Sequence, residues 1–201
     1  MSDLRERRHR DTHRELMQTG MRLFAEHGYD AVTMEQIAGE AGVSRRTLYR
    51  HFPSKDRILL DLTVEWTTMW DDTVTGLPPD TPARQVVEQA LRSIAAHLDA
   101  EGDQMRLAWR IVDSVPALEP GFLANPAWTG RFVELLIDEG RGAAVELPLA
   151  LTIAGAHLGA IDATMLHWAT GEDERTVAAA TDFVLDHLAA LWPRSPSRTR
   201  R

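Results

Sequence analysis

Residues 33–52 read TMEQIAGEAGVSRRTLYRHF, and this stretch decides the fold. Thr33 and Gln36 fit a capping box at the start of a short helix, in which side chains satisfy free backbone amides. Gly42 then allows a sharp turn with positive φ at no steric cost, and Ser44 can cap a second helix. Two short helices joined by a tight glycine turn form the helix-turn-helix pattern.

The second of these helices has basic and hydroxyl side chains at its N-terminal end. Arg45, Arg46 and Thr47 occupy positions that enter the major groove of DNA in this geometry. An arginine can bond O6 and N7 of guanine together, and a threonine can touch the methyl group of thymine. Because Arg45 and Arg46 are about 100° apart on a helix, we expect at most one to point directly into the groove, with the other reaching phosphate.

Outside this stretch, apolar residues recur with helical spacing along most of the chain. We therefore predict an all-α protein of about nine helices. Gly28, Pro53, the break at 76–79 and Pro116 mark helix ends. The predicted organisation is a helix-turn-helix domain with a basic N-terminal arm at 1–56, a ligand-binding and dimerisation domain at 57–192, and a disordered basic tail at 193–201.

The composition excludes several kinds of site and locates the basic surface. None of the 201 residues is cysteine, so disulfides, thiolate metal sites and a cysteine nucleophile are excluded, and the cytoplasm is the expected location. The formal net charge is −8, but residues 1–60 carry 11 basic and 9 acidic side chains, whereas the rest carries 11 and 21. A basic segment on an acidic body is typical of a DNA-binding protein with a separate second domain.

Membrane and enzyme signals are not found in the sequence. No apolar run follows the N-terminus. The most apolar stretch, 147–168, contains His157, Asp162 and His167, and a charge near the middle of a membrane span costs roughly 2.5–3.5 kcal/mol, so we predict a buried helix of a soluble protein. No nucleophile–base–acid set, phosphate-binding loop or metal-ligand cluster occurs, so we expect neither catalysis nor a cofactor.

The helix-turn-helix is part of a longer sequence motif that continues on both sides of the glycine turn. The chain closely resembles the TetR family of repressors in Gly28-Tyr29, Val32-Thr33-Met34, Ile37-Ala38, Ala41-Gly42-Val43-Ser44 and Thr47-Leu48-Tyr49-Arg50-His51-Phe52-Pro53-Ser54-Lys55. The resemblance covers about residues 10–60, and beyond them only the number and length of the helices are similar.

The resemblance implies two groups of DNA contacts. Phosphates would be held by Thr33, Tyr49, His51 and Lys55. Bases would be faced by Arg45, Arg46, Thr47 and Arg50, and Ser44 completes the predicted set. Taken singly, Tyr49 and His51 could instead be packing residues, and Lys55 a solvated charge. The N-terminal segment could follow the minor groove or the phosphates, or form a solubilising tail, through Arg5, Arg7, Arg8 and Arg10. The spacing of His9 and His13 can bind metal, but we interpret both as surface histidines.

Members of this family are usually homodimers, so the resemblance also implies a partner. Two recognition helices on one face would bind a palindromic operator in double-stranded DNA, with half-sites about one DNA turn apart or modestly more. The last two helices of the family pair with their twins as a four-helix bundle. Here small residues that allow close helix approach are Ala154, Gly155, Gly159, Ala160 and the stretch 178–180. Internal core packing is the alternative.

A site for a small apolar or amphipathic ligand is the second expectation for the C-terminal domain. The candidate contacts are Trp66, Trp70, Met105, Trp109, Phe122, Trp128, Asp162 and Met165. An ordinary core would contain the same types of residue. The stretch 114–118 is similar to TetR-like proteins with a domain for acyl-CoA-type ligands, but it does not identify a ligand.

These features lead to the hypothesis of a ligand-responsive repressor. The ligand-free homodimer would hold both recognition helices at operator spacing, and a ligand among helices four to eight would tilt the fourth helix and change that spacing. Such a change requires the ligand to bind one state better than the other. A DNA-binding regulator without an inducer is the alternative.

Overall fold

The computed structural model describes residues 2–115, 118, 126–138, 145–171 and 175–192. Within these ranges the chain consists of helices, turns and loops without a strand, which confirms the all-α prediction. Its helices are α1 (Ser2–His27), α2 (Met34–Glu40), α3 (Arg45–His51), α4 (Lys55–Leu60), α5 (Leu62–Gly76), α6 (Ala83–Ala100), α7 (Gly102–Ser114), α8 (Pro126–Ile137), α9 (Leu147–Thr170) and α10 (Val177–Leu188), followed by a 3₁₀ turn at Ala189–Leu191.

Two helix boundaries differ from the expectation. The predicted fourth helix is divided at Asp61 into α4 and α5, so the described ranges hold ten helices where about nine were expected. Helix α1 begins at Ser2, so the arginines at 5, 7, 8 and 10 lie on its exposed first turns and not on an extended arm. No glycine or proline precedes Gly20 to end this helix earlier. The predicted tail at 193–201 lies outside the described residues.

The chain divides into two compact units. The first comprises Met1–Val64 with Asp103–Phe122, and the second comprises Glu65–Gly102 with Leu123–Arg201. The division falls within α5, whereas the predicted domain boundary at residue 56 lies within α4. Helix α7, apart from Gly102, therefore groups with the helix-turn-helix.

In the first unit, α1 packs against α2 and α4, and α2 packs against α3. Each of these helices supplies fully buried apolar side chains, among them Leu16, Ile37, Leu48 and Ile58. Gly20 lies where α1 meets α4, and a Cβ atom at this position would be 3.0 Å from Cγ2 of Ile58. This is tighter than an ordinary Cβ contact, so Ile58 would have to shift by a few tenths of an ångström to accept any other residue here.

In the second unit, α9 packs against α8 and α10, and α10 packs against α6. A carboxylate from α6 holds the start of α10: Asp99 accepts hydrogen bonds from the amides of Val177 (2.6 Å) and Ala178 (3.0 Å). The hydroxyl of Thr176 accepts another from the amide of Ala179 (3.1 Å). These interactions satisfy amides that a helix leaves unpaired at its start.

A buried histidine lies in the core of the second unit. His157 is 0% exposed, and the indole N–H of Trp192 donates to its Nε2 at 3.2 Å. Nε2 is therefore the acceptor of a neutral ring, and Nδ1 donates to the carbonyl oxygen of Ile153 at 2.8 Å. Burial lowers the pKa of His157, so the neutral form is the one that this core accommodates.

Helix α9 is apolar on its exposed side as well as on its buried side. Gly155 and Gly159 are exposed, and nothing in the described residues beyond the helix's own backbone lies within 4 Å of a Cβ atom built on either. Ala160 is partly exposed, whereas Ala154 packs inside the unit, so for Ala154 the alternative of internal core packing applies. By length and composition alone α9 could cross a membrane, a test that core helices of soluble proteins also pass.

Candidate nucleic-acid interface

Side-chain and backbone hydrogen bonds define the first helix and the turn of the helix-turn-helix. The hydroxyl of Thr33 accepts from the amide of Gln36 (3.2 Å), and the Gln36 side chain accepts from the amide of Thr33 (2.8 Å), so the predicted capping box is present. Gly42 has a φ of +66°, as expected for the turn. The amide of Val43 donates to the carbonyl oxygen of Ala38 at 3.0 Å, which fixes the direction of the chain after the turn.

Helix α3 is anchored on one side and exposed on the other. Ser44 caps it by accepting from the amide of Thr47 at 3.1 Å, and the two hydroxyl oxygens lie 2.9 Å apart. Leu48 is 0% exposed, and so is Phe52 just beyond the helix. The exposed side carries Arg45, Arg46, Tyr49 and Arg50, with Tyr49 46% exposed. An anchored short helix with exposed arginine and tyrosine side chains is suited to contact duplex DNA.

An acidic residue that the sequence analysis missed lies beside Arg45. The Nε atom of Arg45 is 3.6 Å from Oε1 of Glu35, in the first turn of α2. Both side chains are exposed, so the pair contributes little to stability. Only the turn geometry brings these two residues together, which is why helical spacing did not identify Glu35 as a neighbour of the predicted base contact.

His51 turns towards α1 instead of joining the exposed face of α3. Its ring centroid is 4.2 Å from that of His9 and 5.6 Å from that of His13. Both ring nitrogens are buried and have no hydrogen-bond partner in the described part of the chain. Burial lowers the pKa of His51 to about 4, and the charges of His9, His13 and Arg50 act in the same direction. The predicted phosphate contact would require this neutral ring to rotate outward.

Lys55, the first residue of α4, directs its ammonium group inward. Nζ donates to the carbonyl oxygens of Tyr29 (2.6 Å) and Val32 (3.1 Å), and it lies 4.1 Å from the centroid of the Tyr29 ring. The hydroxyl of Tyr29 in turn donates to Asp56, the second residue of α4. Burial raises the pKa of Tyr29. Sequence spacing could not reveal these partners of Lys55, because they lie 26 and 23 residues away.

The residues predicted for a ligand site fall in both units. Met105 and Trp109 belong to the first unit, Trp66, Trp70, Trp128, Asp162 and Met165 belong to the second, and Phe122 lies outside the described residues. The described tryptophans and methionines of the set are buried. The structure brings Trp70 and Trp128 together, with ring centroids 5.8 Å apart. Burial raises the pKa of Asp162 to about 7, so this carboxyl group titrates near neutral pH.

An open groove of about 380 Å³ lies along α5 and α6 in the second unit. It is lined by Met69, Asp72, Thr73, Gly76, Leu77, Gln89 and Ser93. None of these residues is among the eight predicted ligand contacts, because a mixed polar and apolar lining has no local pattern of its own. In the ranges that the structure describes, no group of three or more histidine or acidic side chains could hold a metal ion.

Family models match two parts of the chain. Residues 16–62 match the bacterial regulatory proteins of the tetR family. Residues 81–193, more than half of the chain, match the MftR C-terminal domain. The chain belongs to the TetR family. It is a helix-turn-helix transcriptional regulator, as the resemblance in its first 60 residues implied.

Curated relatives of this TetR-family regulator match it over very different lengths. The putative mycofactocin biosynthesis transcriptional regulator MftR of Mycobacterium tuberculosis is 26% identical over 198 residues, covering 90% of this chain and 95% of MftR. The regulator TcmR of Streptomyces glaucescens is 42% identical over 57 residues, 28% of this chain and 25% of TcmR. YerO of Bacillus subtilis is 30% identical over 84 residues, 42% of this chain and 29% of YerO. The chain thus spans less than a third of TcmR and of YerO.

Solved structures of the TetR-family fold cover nearly the whole chain. FadR of Thermus thermophilus, a repressor in complex with lauroyl-CoA, superposes with a TM-score of 0.62 at 18% identity, covering 94% of this chain and 99% of that one. FadR of Bacillus halodurans gives a TM-score of 0.64 at 18% identity, covering 94% and 97%. At such low identity these similarities show the fold alone.

Proposed function

We propose that this TetR-family regulator is a repressor that binds a palindromic operator as a homodimer through the exposed side of α3. The observation that carries the proposal is the division of α3 into two sides. Leu48 and Phe52 are buried, whereas Arg45, Arg46 and Arg50 are exposed. Repression is supported by the similarity to FadR of Thermus thermophilus, which is a repressor.

Within the proposed interface, arginines read bases and hydroxyl groups hold phosphates. The base contacts are Arg45, Arg46, Thr47 and Arg50, and a bidentate arginine–guanine pair contributes about 1–3 kcal/mol of discrimination. Thr33, Ser44 and Tyr49 lie at the starts of the two helices and on the exposed side of α3, where their hydroxyl groups are proposed to contact phosphate. His51 and Lys55, whose side chains have internal neighbours, require a separate argument.

Fluorescence anisotropy with the promoter fragment of the protein's own gene tests this interface. We expect Arg45→Ala or Arg46→Ala to weaken specific binding by about 5- to 150-fold, the equivalent of one lost arginine–guanine pair. Tyr49→Phe, which removes one hydroxyl group, should weaken binding to specific and random DNA alike. Arg84→Ala is the matched control, because it removes an exposed charge on α6. Unchanged binding of both arginine variants and of Tyr49→Ala would contradict the proposal.

A second copy of the chain is proposed to cover the exposed sides of α9 and α10. Leu151, Gly155 and Gly159 recur along the exposed side of α9, and Phe183 of α10 is 49% exposed. Small residues allow two helices to approach closely. A two-fold contact of this kind presents the same surface on both subunits and matches the symmetry of a palindromic operator.

We also propose that a small amphipathic ligand releases the DNA. The groove along α5 and α6 has the volume of a typical small-molecule site, and its lining combines Met69 and Leu77 with Asp72 and Gln89. FadR of Thermus thermophilus was solved with lauroyl-CoA, which makes this compound the first probe. Lauroyl-CoA should raise the melting temperature and weaken DNA binding, because an inducer must bind the DNA-free state more tightly.

A regulator without an inducer is the second candidate. It is favoured by the packing of two predicted ligand contacts, Trp70 and Trp128, because the ring of Trp70 lies against those of Trp128 and Phe132 inside the second unit. If neither lauroyl-CoA nor a panel of apolar compounds changes the melting temperature or the DNA affinity, this candidate replaces the inducible one. In both cases we place the protein in the cytoplasm, away from membranes and without a catalytic role.

A further inference from the structure

The inward position of Lys55 conflicts with the phosphate contact that the family resemblance implies. Its ammonium group has three N–H donors. Two of them reach the carbonyl oxygens of Tyr29 and Val32, at 2.6 and 3.1 Å, and the charge lies 4.1 Å from the centroid of the Tyr29 ring. To bind a phosphate, Lys55 would have to leave two charge-assisted hydrogen bonds and a cation–π contact.

These contacts tie the start of α4 to the turn that precedes α2. The turn begins at Gly28, which has a φ of +83°, and it ends at Thr33, the cap of α2. Tyr29 is held on two sides, because Lys55 contacts its carbonyl oxygen and ring while Asp56 accepts a hydrogen bond from its hydroxyl group. The first two residues of α4 therefore fix where α2 begins.

The position of α2 determines the position of the proposed recognition helix. Helix α2 packs against α3, and the amide of Val43 in the connecting turn donates to Ala38 of α2. Base contacts need side chains held to within about half an ångström, which depends on the elements that support them. A shift of the turn at 28–33 would therefore reach Arg45 and Arg46 through α2, even though Lys55 is not on either helix.

We propose that Lys55 is a positioning residue for DNA binding, which acts by clamping the 28–33 turn through Tyr29 and makes no contact with phosphate. This inference rests on the proposed DNA-binding function of α3. In this role the positive charge of Lys55 keeps the helix-turn-helix in a fixed position relative to α4.

The salt dependence of DNA binding distinguishes a clamping role of Lys55 from a direct contact with phosphate. A cation that neutralises one phosphate contributes about 0.9 to the slope of log K against log salt concentration. Lys55→Met should therefore weaken promoter binding at least tenfold while leaving that slope unchanged between about 50 and 200 mM salt. Arg50→Gln provides the comparison: it removes an exposed cation of the proposed DNA-facing side of α3, and because any cation close to DNA displaces counterions, its loss should make the slope shallower.

Substitution of Tyr29, whose ring contacts the Lys55 ammonium group, tests the same clamp without changing the charge. Tyr29→Leu removes the cation–π contact and the hydrogen bond to Asp56, so we expect a loss of affinity similar to that of Lys55→Met, again with an unchanged slope. The double variant Tyr29→Leu/Lys55→Met should bind no more weakly than the weaker single variant, because each single substitution already disrupts the same clamp. All affinities are measured well below the melting temperature of each variant, so that a lower stability alone does not change them.

Lys55→Arg covers the case in which Lys55→Met does not fold. Arginine keeps the charge and binds phosphate well, but its planar group has a different shape from an ammonium group. A clamp predicts a loss of affinity for Lys55→Arg, whereas a phosphate ligand predicts nearly full affinity. The clamp is overturned if Lys55→Met makes the slope shallower by about 0.9 per subunit while Tyr29→Leu binds normally. If the wild-type protein binds no promoter fragment, the proposed function itself fails.

Discussion

The contact of the His51 ring with those of His9 and His13 should make the attachment of α3 to α1 sensitive to acid. Burial lowers the pKa of His51 to about 4, whereas an exposed histidine in an unfolded chain has a pKa near 6.5. The neighbours that face His51 are His9 and His13 from α1 and Arg50 from α3, all of which disfavour a second positive charge. His13 itself lies 2.5 Å from Asp61.

The magnitude follows from the difference between the two pKa values. Well above pH 6.5 the ring is neutral in both the folded and the unfolded chain, so the ring contact contributes its full stability. Between pH 6.5 and about 4 only the unfolded chain takes up the proton, and the folded chain loses up to about 1.4 kcal/mol per pH unit. Because part of the His51 side chain remains accessible to solvent, we expect the measured loss to be smaller, about 0.5–1 kcal/mol at pH 5.5.

Two measurements check this prediction. The NMR resonances of the His51 ring, assigned from their absence in His51→Leu, should titrate near pH 4. Urea unfolding at pH 7.5, 6.5 and 5.5 should show the wild type losing free energy of unfolding relative to His51→Leu mainly between pH 6.5 and 5.5. The comparison cancels the acid sensitivity of His157, which both proteins contain. A ring that titrates near 6.5, or a free-energy difference that is constant from pH 7.5 to 5.5, would refute the reasoning.

Two further predictions concern the second unit. Gly159→Leu should leave the chain folded, because the site is open and leucine favours a helix by about 1 kcal/mol over glycine, yet it should convert a dimer to a monomer in light scattering; a variant that stays dimeric would place the partner elsewhere. His157→Leu and Trp192→Phe each leave a buried group without its hydrogen-bond partner and should each cost about 1–3 kcal/mol in urea unfolding. Their double variant should cost less than the sum of the two, and strict additivity would contradict the coupling.

The parts of the fold that sequence could predict are those set by neighbouring residues. The capping box at Thr33, the positive φ of Gly42 and the cap at Ser44 involve residues three apart or a single backbone conformation, and all are present. The same local logic does not predict where α1 begins. The cluster of arginines before residue 11 suggests an arm or a solubilising tail, although the absence of any helix-breaking residue before Gly20 lets α1 extend back to Ser2.

The roles that sequence could not predict depend on contacts between distant residues. The family resemblance singles out His51 and Lys55, but it does not predict the direction of their side chains, which His9 and Tyr29 determine from other parts of the chain. Aromatic composition could not distinguish a pocket from a core either. Trp70 and Trp128 are buried against each other, as either arrangement would require.

The helix-turn-helix therefore separates the residues that hold α3 from those proposed to read DNA. Leu48 anchors α3 in the core, His51 joins it to α1, and the Lys55–Tyr29 clamp fixes the start of α2. None of these anchors uses the exposed arginines of α3. Substitutions of the exposed arginines should accordingly change which DNA sequence is bound at little cost in stability. Substitutions of the anchors should weaken binding to every sequence, because they move the whole helix and leave its exposed side chains unaltered.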